Sequence, residues 1–147
     1  MTRKNPKSLG EKGQAITIGE LAKHGIVTAL PMSDNLAFDL ILIYDNKLYK
    51  AQVKSSNRTS ANTKGSISFG LTTSNWYKGT TTKYDENDCD VMLLCDFDKV
   101  YLLDPQDFVN RSSFNIRREA PRNNQKNCIN LADDFQLSEK RIQEVLL

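Results

Sequence analysis

A chain of 147 residues fits one domain and hardly two. Hydrophobic residues make up 39% of it, which excludes a disordered chain, and no stretch approaches the ~20 apolar residues of a membrane span. The net charge is only +2, and three cysteines without a CxxC pair exclude a disulfide framework and a zinc finger.

The opening MTRKNPKSLG is basic, but no apolar segment follows it, so it does not read as a signal peptide. The expectation is a soluble, cytoplasmic protein. Residues 9–23 predict a helix, with Ala15, Ile18, Leu21 and Ala22 at helical spacing and Gly25 where a C-cap glycine belongs. Residues 26–31 form a short strand candidate, followed by the turn residues Ser33, Asp34 and Asn35. Residues 38–44 are strongly strand-like. Asp45 and Asn46 make a tight turn, and 47–55 alternate as the returning strand. Residues 66–71 are a further strand. Residues 90–95 and 99–103 form a second hairpin around Asp96-Phe97-Asp98. Asp104 and Pro105 can start a short helix, and Ser138 N-caps a last helix over 138–147. Its apolar end (Ile142, Val145, Leu146, Leu147) suggests docking on the core or a subunit interface. The order implies one α/β domain, with helices packed on a mixed sheet.

The small net charge hides strong segregation. From Lys54 to Tyr84 there is no Asp or Glu, while Lys54, Arg58, Lys64, Lys78 and Lys83 lie among many Ser, Thr and Asn. Residues 85–107 invert the sign, with eight carboxylates against Lys99. Their spacing is not that of an EF-hand loop, and they are expected to decorate turns. Arg111, Arg117, Arg118, Arg122 and Lys126 then return against Glu119. Hydroxyl, amide and cationic groups without carboxylates suit a polyphosphate backbone. His24 ends a helix, where a cation is favourable, and is expected to be non-catalytic. Cys89 and Cys95 read as small core residues, and Cys128 has no activating partner in view.

Chemistry concentrates in residues 38–54. Asp39 sits in an otherwise apolar strand, where an unpaired buried carboxylate would cost several kcal/mol. It therefore needs a partner, a metal ion or solvent. In the next strand, period two puts Lys50, Gln52 and Lys54 on one face and Ala51 and Val53 on the other. A hairpin brings Asp39 close to Gln52 and Lys54: oxygens that can hold Mg²⁺, beside an ammonium that can stabilise developing phosphoryl charge.

These residues carry a family likeness. Leu9-Gly-Glu-Lys-Gly-Gln-Ala, Leu30-Pro-Met-Ser-Asp-Asn, Phe38-Asp-Leu-Ile and Lys50-Ala-Gln-Val-Lys-Ser resemble the PD-(D/E)XK nuclease superfamily. The branch most resembled contains group I intron-encoded homing endonucleases, which carry Gln at the usual D/E position. The likeness extends through residues 84–90, 100–105 and 122–126, most of the chain. It implies a single restriction-endonuclease-like domain over residues 1–147, with a central mixed β-sheet flanked by helices. It also implies a Mg²⁺- or Mn²⁺-dependent endonuclease acting on double-stranded DNA. Asp39 is similar to the metal-binding aspartate, Gln52 stands at the second ligand position, Val53 supplies a backbone carbonyl, and Lys54 matches the catalytic lysine.

One position departs from the pattern. The helix before the core normally carries Gly-Glu-Ala, and here it reads Gly13-Gln14-Ala15. The loss of a carboxylate predicts weaker metal affinity and weaker cleavage. Either the chain is natural and Glu11, one helical turn away, substitutes for it, or Gln14 is a deliberate isosteric replacement made to bind DNA without cutting it.

For DNA contact the candidates are Asn57, Arg58, Asn62, Lys64, Asn75, Trp76, Tyr77, Lys78 and Lys83, and a second group of Arg117, Arg118, Arg122, Asn123, Asn124, Gln125 and Lys126. Arg, Asn and Gln are the types that contact guanine and adenine edges bidentately. Cutting both strands needs two centres, which implies a homodimer or a homotetramer. Three readings follow: a homing-type, sequence-specific endonuclease, a junction-resolvase-like nuclease, or a DNA-binding protein on the same scaffold without catalysis.

Overall fold

The computed structural model describes residues 5–59, 65–75, 78–119 and 129–147. Asn62, Lys64, Trp76, Tyr77, Arg122, Asn123, Asn124, Gln125, Lys126 and Cys128 lie outside the described residues. The elements run α1 (Pro6–Lys23), β1 (Val27–Ala29), β2 (Leu40–Tyr44), β3 (Lys47–Ser55), β4 (Ser66–Gly70), β5 (Thr72–Asn75), β6 (Thr80–Lys83), β7 (Val91–Cys95), β8 (Val100–Leu103), α2 (Pro105–Phe108), β9 (Ser113–Arg117), α3 (Ala132–Phe135) and α4 (Glu139–Leu146).

Asp45 and Asn46 both take positive φ (50° and 60°), the two left-handed residues of a tight hairpin turn. That turn fixes the β2–β3 register from Tyr44↔Lys47 to Leu40↔Ala51. β1 adds antiparallel to β2, β7 adds parallel to β3, and β8 adds antiparallel to β7. The result is a five-stranded mixed sheet in the order β1-β2-β3-β7-β8, as the α/β reading expects. Two small antiparallel pairs, β4–β9 and β5–β6, stand apart from it.

Both faces of this sheet are covered. Leu40, Leu42, Ala51, Val53, Leu93 and Leu102 pack with Leu21 of α1 and with Ile142 and Leu146 of α4. Met92, Leu94, Tyr101 and Leu103 point the other way, against Phe69, Phe108, Phe114 and Ile116. β7 and β8 are therefore buried on both sides, which explains their unbroken apolar runs. The last helix docks on the core, with Ser138 accepting from Arg141 N as its N-cap. Cys89 and Cys95 are free and fully buried.

The first helix differs from expectation in two ways. It starts at Pro6, because Asn5 caps it by accepting from Lys7 N at 3.1 Å and proline suits the first turn. Its buried stripe is Gly13, Thr17 and Leu21, while Ala15 and Ala22 are exposed. The cause is close approach: a Cβ on Gly13 would lie 2.7 Å from Ser55 Cβ on β3. The smallest residue faces the sheet, and the alanines are turned away.

The acidic run serves turns and caps. Asp85 and Asp88 accept backbone N–H groups within one turn, Asp90 accepts from Lys50 N, and Asp104 with Asp107 forms a capping box on α2. Asp96 alone goes inside. Its carboxylate accepts from Tyr101 Oη (2.8 Å), Arg118 Nη2 (2.5 Å) and the N–H groups of Asp98 and Lys99.

Candidate active site

Asp39 stands one residue before β2, and its N–H donates to the Ala51 carbonyl at 2.9 Å. This carries the hairpin register one step further and sets Asp39 opposite Gln52. One carboxylate oxygen accepts from Val53 N at 3.1 Å. Burial raises the Asp39 pKa above the usual carboxylate range, against the opposing pull of that N–H and of Lys54. Burial likewise lowers the Lys54 pKa, and Asp39 only partly offsets it. Two opposite charges thus sit in a partly dehydrated site, each favoured by the other and disfavoured by its surroundings.

The Lys54 ammonium has two further partners. Nζ donates to the Thr72 carbonyl at 3.1 Å and lies 5.0 Å from the centre of the Tyr84 ring. Tyr84 is 4% exposed. Burial, with Asp39 as the largest charge effect, pushes its phenol far up, so the hydroxyl stays protonated.

Asp39 and Lys54 line a cleft of about 890 Å³. Gln14, Asp39, Val53, Lys54, Asn57 and Arg58 all line it, joined by Glu11, Lys7 and Phe97. Gln14 reaches the cleft because Gly13 lets α1 approach the end of β3. Gln52 is not among the lining residues. It is 8% exposed, and its Nε2 donates to the Val53 carbonyl at 3.3 Å.

The other basic candidates are spread more widely. Lys78 and Lys83 are exposed on the β5–β6 hairpin, and Asn75 ends β5. Arg117 donates through Nε to the Glu119 carbonyl at 2.8 Å. Arg118 is tied to buried Asp96 but keeps 42% of its side chain exposed. Lys64, Trp76, Arg122 and Lys126 lie outside the described residues. Sequence reading missed Thr72 and Tyr84 as partners of Lys54. The only linear hint was that they bracket the hairpin segment of the carboxylate-free run.

For a metal ion the lining residues offer hard oxygens: the Asp39 and Glu11 carboxylates, the Gln14 amide and the backbone carbonyl of Val53. No group of three His, Cys, Asp or Glu side chains is gathered for a metal among the described residues. Such an oxygen set fits a hard divalent cation that keeps several of its waters. It fits no soft or tightly caged metal.

Comparisons with known proteins agree with this fold. The solved structure of a bacterial homing endonuclease, I-Ssp6803I, superposes with a TM-score of 0.72 at 21% identity, over 90% of this chain and 88% of that one. That likeness is one of fold. No curated protein matches in sequence. No helix among the described residues is long and apolar enough to cross a membrane. The family model described as PD-(D/E)XK endonuclease matches residues 4–138, nearly the whole chain and every side chain of the cleft, so the chain belongs to the PD-(D/E)XK endonuclease family.

Proposed function

We propose that this single nuclease domain, residues 1–147, is a metal-dependent, sequence-specific endonuclease of the homing type, acting on double-stranded DNA and impaired by Gln14. The observation that carries the proposal is the convergence of Asp39, Val53, Lys54 and Gln14 on one cleft that also holds Glu11, Asn57 and Arg58. Asp39, the Val53 carbonyl and the Gln14 amide oxygen would hold Mg²⁺ or Mn²⁺. The bound ion would supply an activated water and neutralise phosphoryl charge. Lys54, partly dehydrated, lines the cleft and would offer positive charge to the scissile phosphate. Gln52 serves as an oxygen donor only if its amide turns away from the Val53 carbonyl. Arg58, Lys78 and Lys83 supply phosphate contacts, and the chain acts as a homodimer or homotetramer so that two centres meet two strands.

With Gln14 where the family pattern has a glutamate, the site loses one charge, and metal affinity and cleavage are both reduced. The test compares this chain with its Gln14→Glu variant on plasmid DNA with Mg²⁺. A faster Gln14→Glu enzyme supports the proposal, and equal rates refute the role given to Gln14. Competition among linear duplex, junction and cognate duplex separates homing from junction cleavage. DNA affinity is expected to fall steeply between low and physiological salt, and a flat response counts against phosphate contact.

Gln14 also favours a second reading, a DNA-binding protein without catalysis. Its signature is a Gln14→Glu variant that still shows no metal-dependent cleavage.

A further inference from the structure

The two groups that hold the Lys54 ammonium come from the two feet of one hairpin. Thr72, whose carbonyl accepts from Nζ, is the first residue of β5. Tyr84, whose ring lies under Nζ, directly follows the last residue of β6. Between them the strands pair in register from Thr72↔Lys83 to Asn75↔Thr80, and β6 is exposed throughout. The hairpin pairs with neither the five-stranded sheet nor the β4–β9 pair. Its feet, by contrast, are anchored: Tyr84 is buried in the second core cluster, and its carbonyl accepts from Asn110 N at 2.9 Å. Leu71, just before Thr72, is fully buried and donates to the Ser112 carbonyl at 3.0 Å. An exposed, Thr- and Lys-bearing arm is thus joined through two fixed feet to one ammonium in the cleft.

We propose that Tyr84 and the Thr72 carbonyl are positioning residues for Lys54, and that contact of the β5–β6 hairpin with duplex DNA is transmitted through them to the lysine. The inference rests on the assignment of Lys54 to the chemistry. A carbonyl and a ring face together hold a flexible four-carbon side chain against its rotamer freedom. Neither partner carries a charge, so the ammonium stays available to an incoming phosphate. A phosphate contact at Lys83 pulls on the strand that ends at Tyr84, and this is the mechanical route from recognition to the reacting atoms. The arrangement predicts that the hairpin does more than add affinity: it sets how well Lys54 is aimed.

The test uses the full chain with isotope-labelled lysine, followed by NMR. An ammonium held over an aromatic face puts the Lys54 ε-methylene protons upfield of the other lysines. The signal is assigned by its loss in Lys54→Met. Tyr84→Phe keeps the ring and is expected to keep the shift, while Tyr84→Leu is expected to return it to the common lysine position. A folded wild-type chain with an unshifted Lys54 signal overturns the inference without any Tyr84 variant. So does a folded Tyr84→Leu that retains the shift. Addition of a random-sequence DNA duplex, without metal, is expected to move the Lys83 and Lys54 signals together. Movement of Lys83 alone refutes the transmission, and movement of neither refutes hairpin contact.

Cleavage is read in the Gln14→Glu background. Tyr84→Leu is expected to lower kcat by about tenfold to a hundredfold, the scale of a small misplacement of a catalytic group, with KM nearly unchanged. Tyr84→Phe restores it. If Lys54→Met cuts as well as its parent, the chemical role of Lys54 fails, whereas the NMR result still decides whether Tyr84 positions it.

Discussion

Gly13→Ala sets two effects of opposite sign against each other. Helix propensity favours alanine over glycine by about 1 kcal/mol in a helix interior. Packing opposes it. The new methyl would lie 2.7 Å from Ser55 Cβ and closer still to its hydroxyl, and Phe97 is 3.8 Å away. Ser55 is paired with Cys95 in the middle of the sheet, so β3 has little room to give. Overpacking of this kind costs about 1–3 kcal/mol, and a contact well inside the normal range belongs at the upper end. The expected net loss is about 1–2 kcal/mol, or about 2–8 °C in Tm for a domain of this size. Thermal unfolding followed by circular dichroism measures it. Ser55→Gly removes the opposing Cβ. The double variant should therefore recover most of the loss, giving a coupling energy above the ~0.5 kcal/mol seen between independent sites. A Tm for Gly13→Ala at or above wild type would refute the close-packing argument. So would strict additivity with Ser55→Gly. Because Gln14 is the next residue, the displaced helix should also weaken the cleavage proposed above.

Three further outcomes follow from the same structure. Arg118→Met leaves the Asp96 carboxylate with three neutral donors. Because Arg118 is two-fifths exposed, the loss should be nearer 1–2 kcal/mol than the 3–5 of a fully buried pair, as read by urea unfolding. Burial opposes the ionised Asp96, but its four donors outweigh burial and hold the pKa below 3.8. That stability is present above the usual carboxylate range and lost as pH falls through the lowered value, so the two proteins should converge in acid. Asp39→Asn should stabilise the metal-free protein at neutral pH. Burial raises the Asp39 pKa, so its favourable contribution exists only at low pH and is lost as pH rises through the folded value. The gain should vanish below pH 4 in a Tm-versus-pH series, and a variant less stable than wild type at pH 7 would contradict it. Finally, burial pushes the Cys89 thiol up to about 12, so it should resist alkylation at pH 8 in the native protein and react on unfolding, as peptide mass mapping can follow.

The sequence was readable where local chemistry and packing agree. The Asp45-Asn46 turn and the alternation of 47–55 predict β2–β3, and the structure has that hairpin in the expected register. β7 and β8 are legible as apolar runs. β5 and β6 are not, because Thr80–Lys83 is exposed at every position and offers no apolar period. β9 does alternate, with Phe114 and Ile116 buried, but its signal is masked by the arginines that follow. α3, of four residues, is too short for periodicity to register. The meeting of Asp39 with Lys54 could be anticipated, since both lie on one hairpin. The placement of Gln14 beside them depends on a glycine contact across 42 residues of chain, and Thr72 and Tyr84 reach Lys54 from strands without a sequence signature. Asp96 looks like any turn aspartate, and nothing local announces that Arg118 will cover it.

The β2–β3 hairpin has a consequence for biosynthesis. Asp39 and Lys54 are separated by a two-residue turn and short strands, so they can meet on the microsecond scale of hairpin formation. Ribosomes add roughly 5–20 residues per second, so this meeting precedes the arrival of Tyr84 by seconds. In that interval the carboxylate and ammonium are still in water, with neither the ring nor the Thr72 carbonyl to hold the lysine. The parallel partner β7 comes later still. A nascent chain therefore brings this carboxylate and ammonium together before the contacts that hold the lysine exist. Those contacts come only with the downstream strands, so the order of synthesis is also the order in which the lysine's surroundings are built.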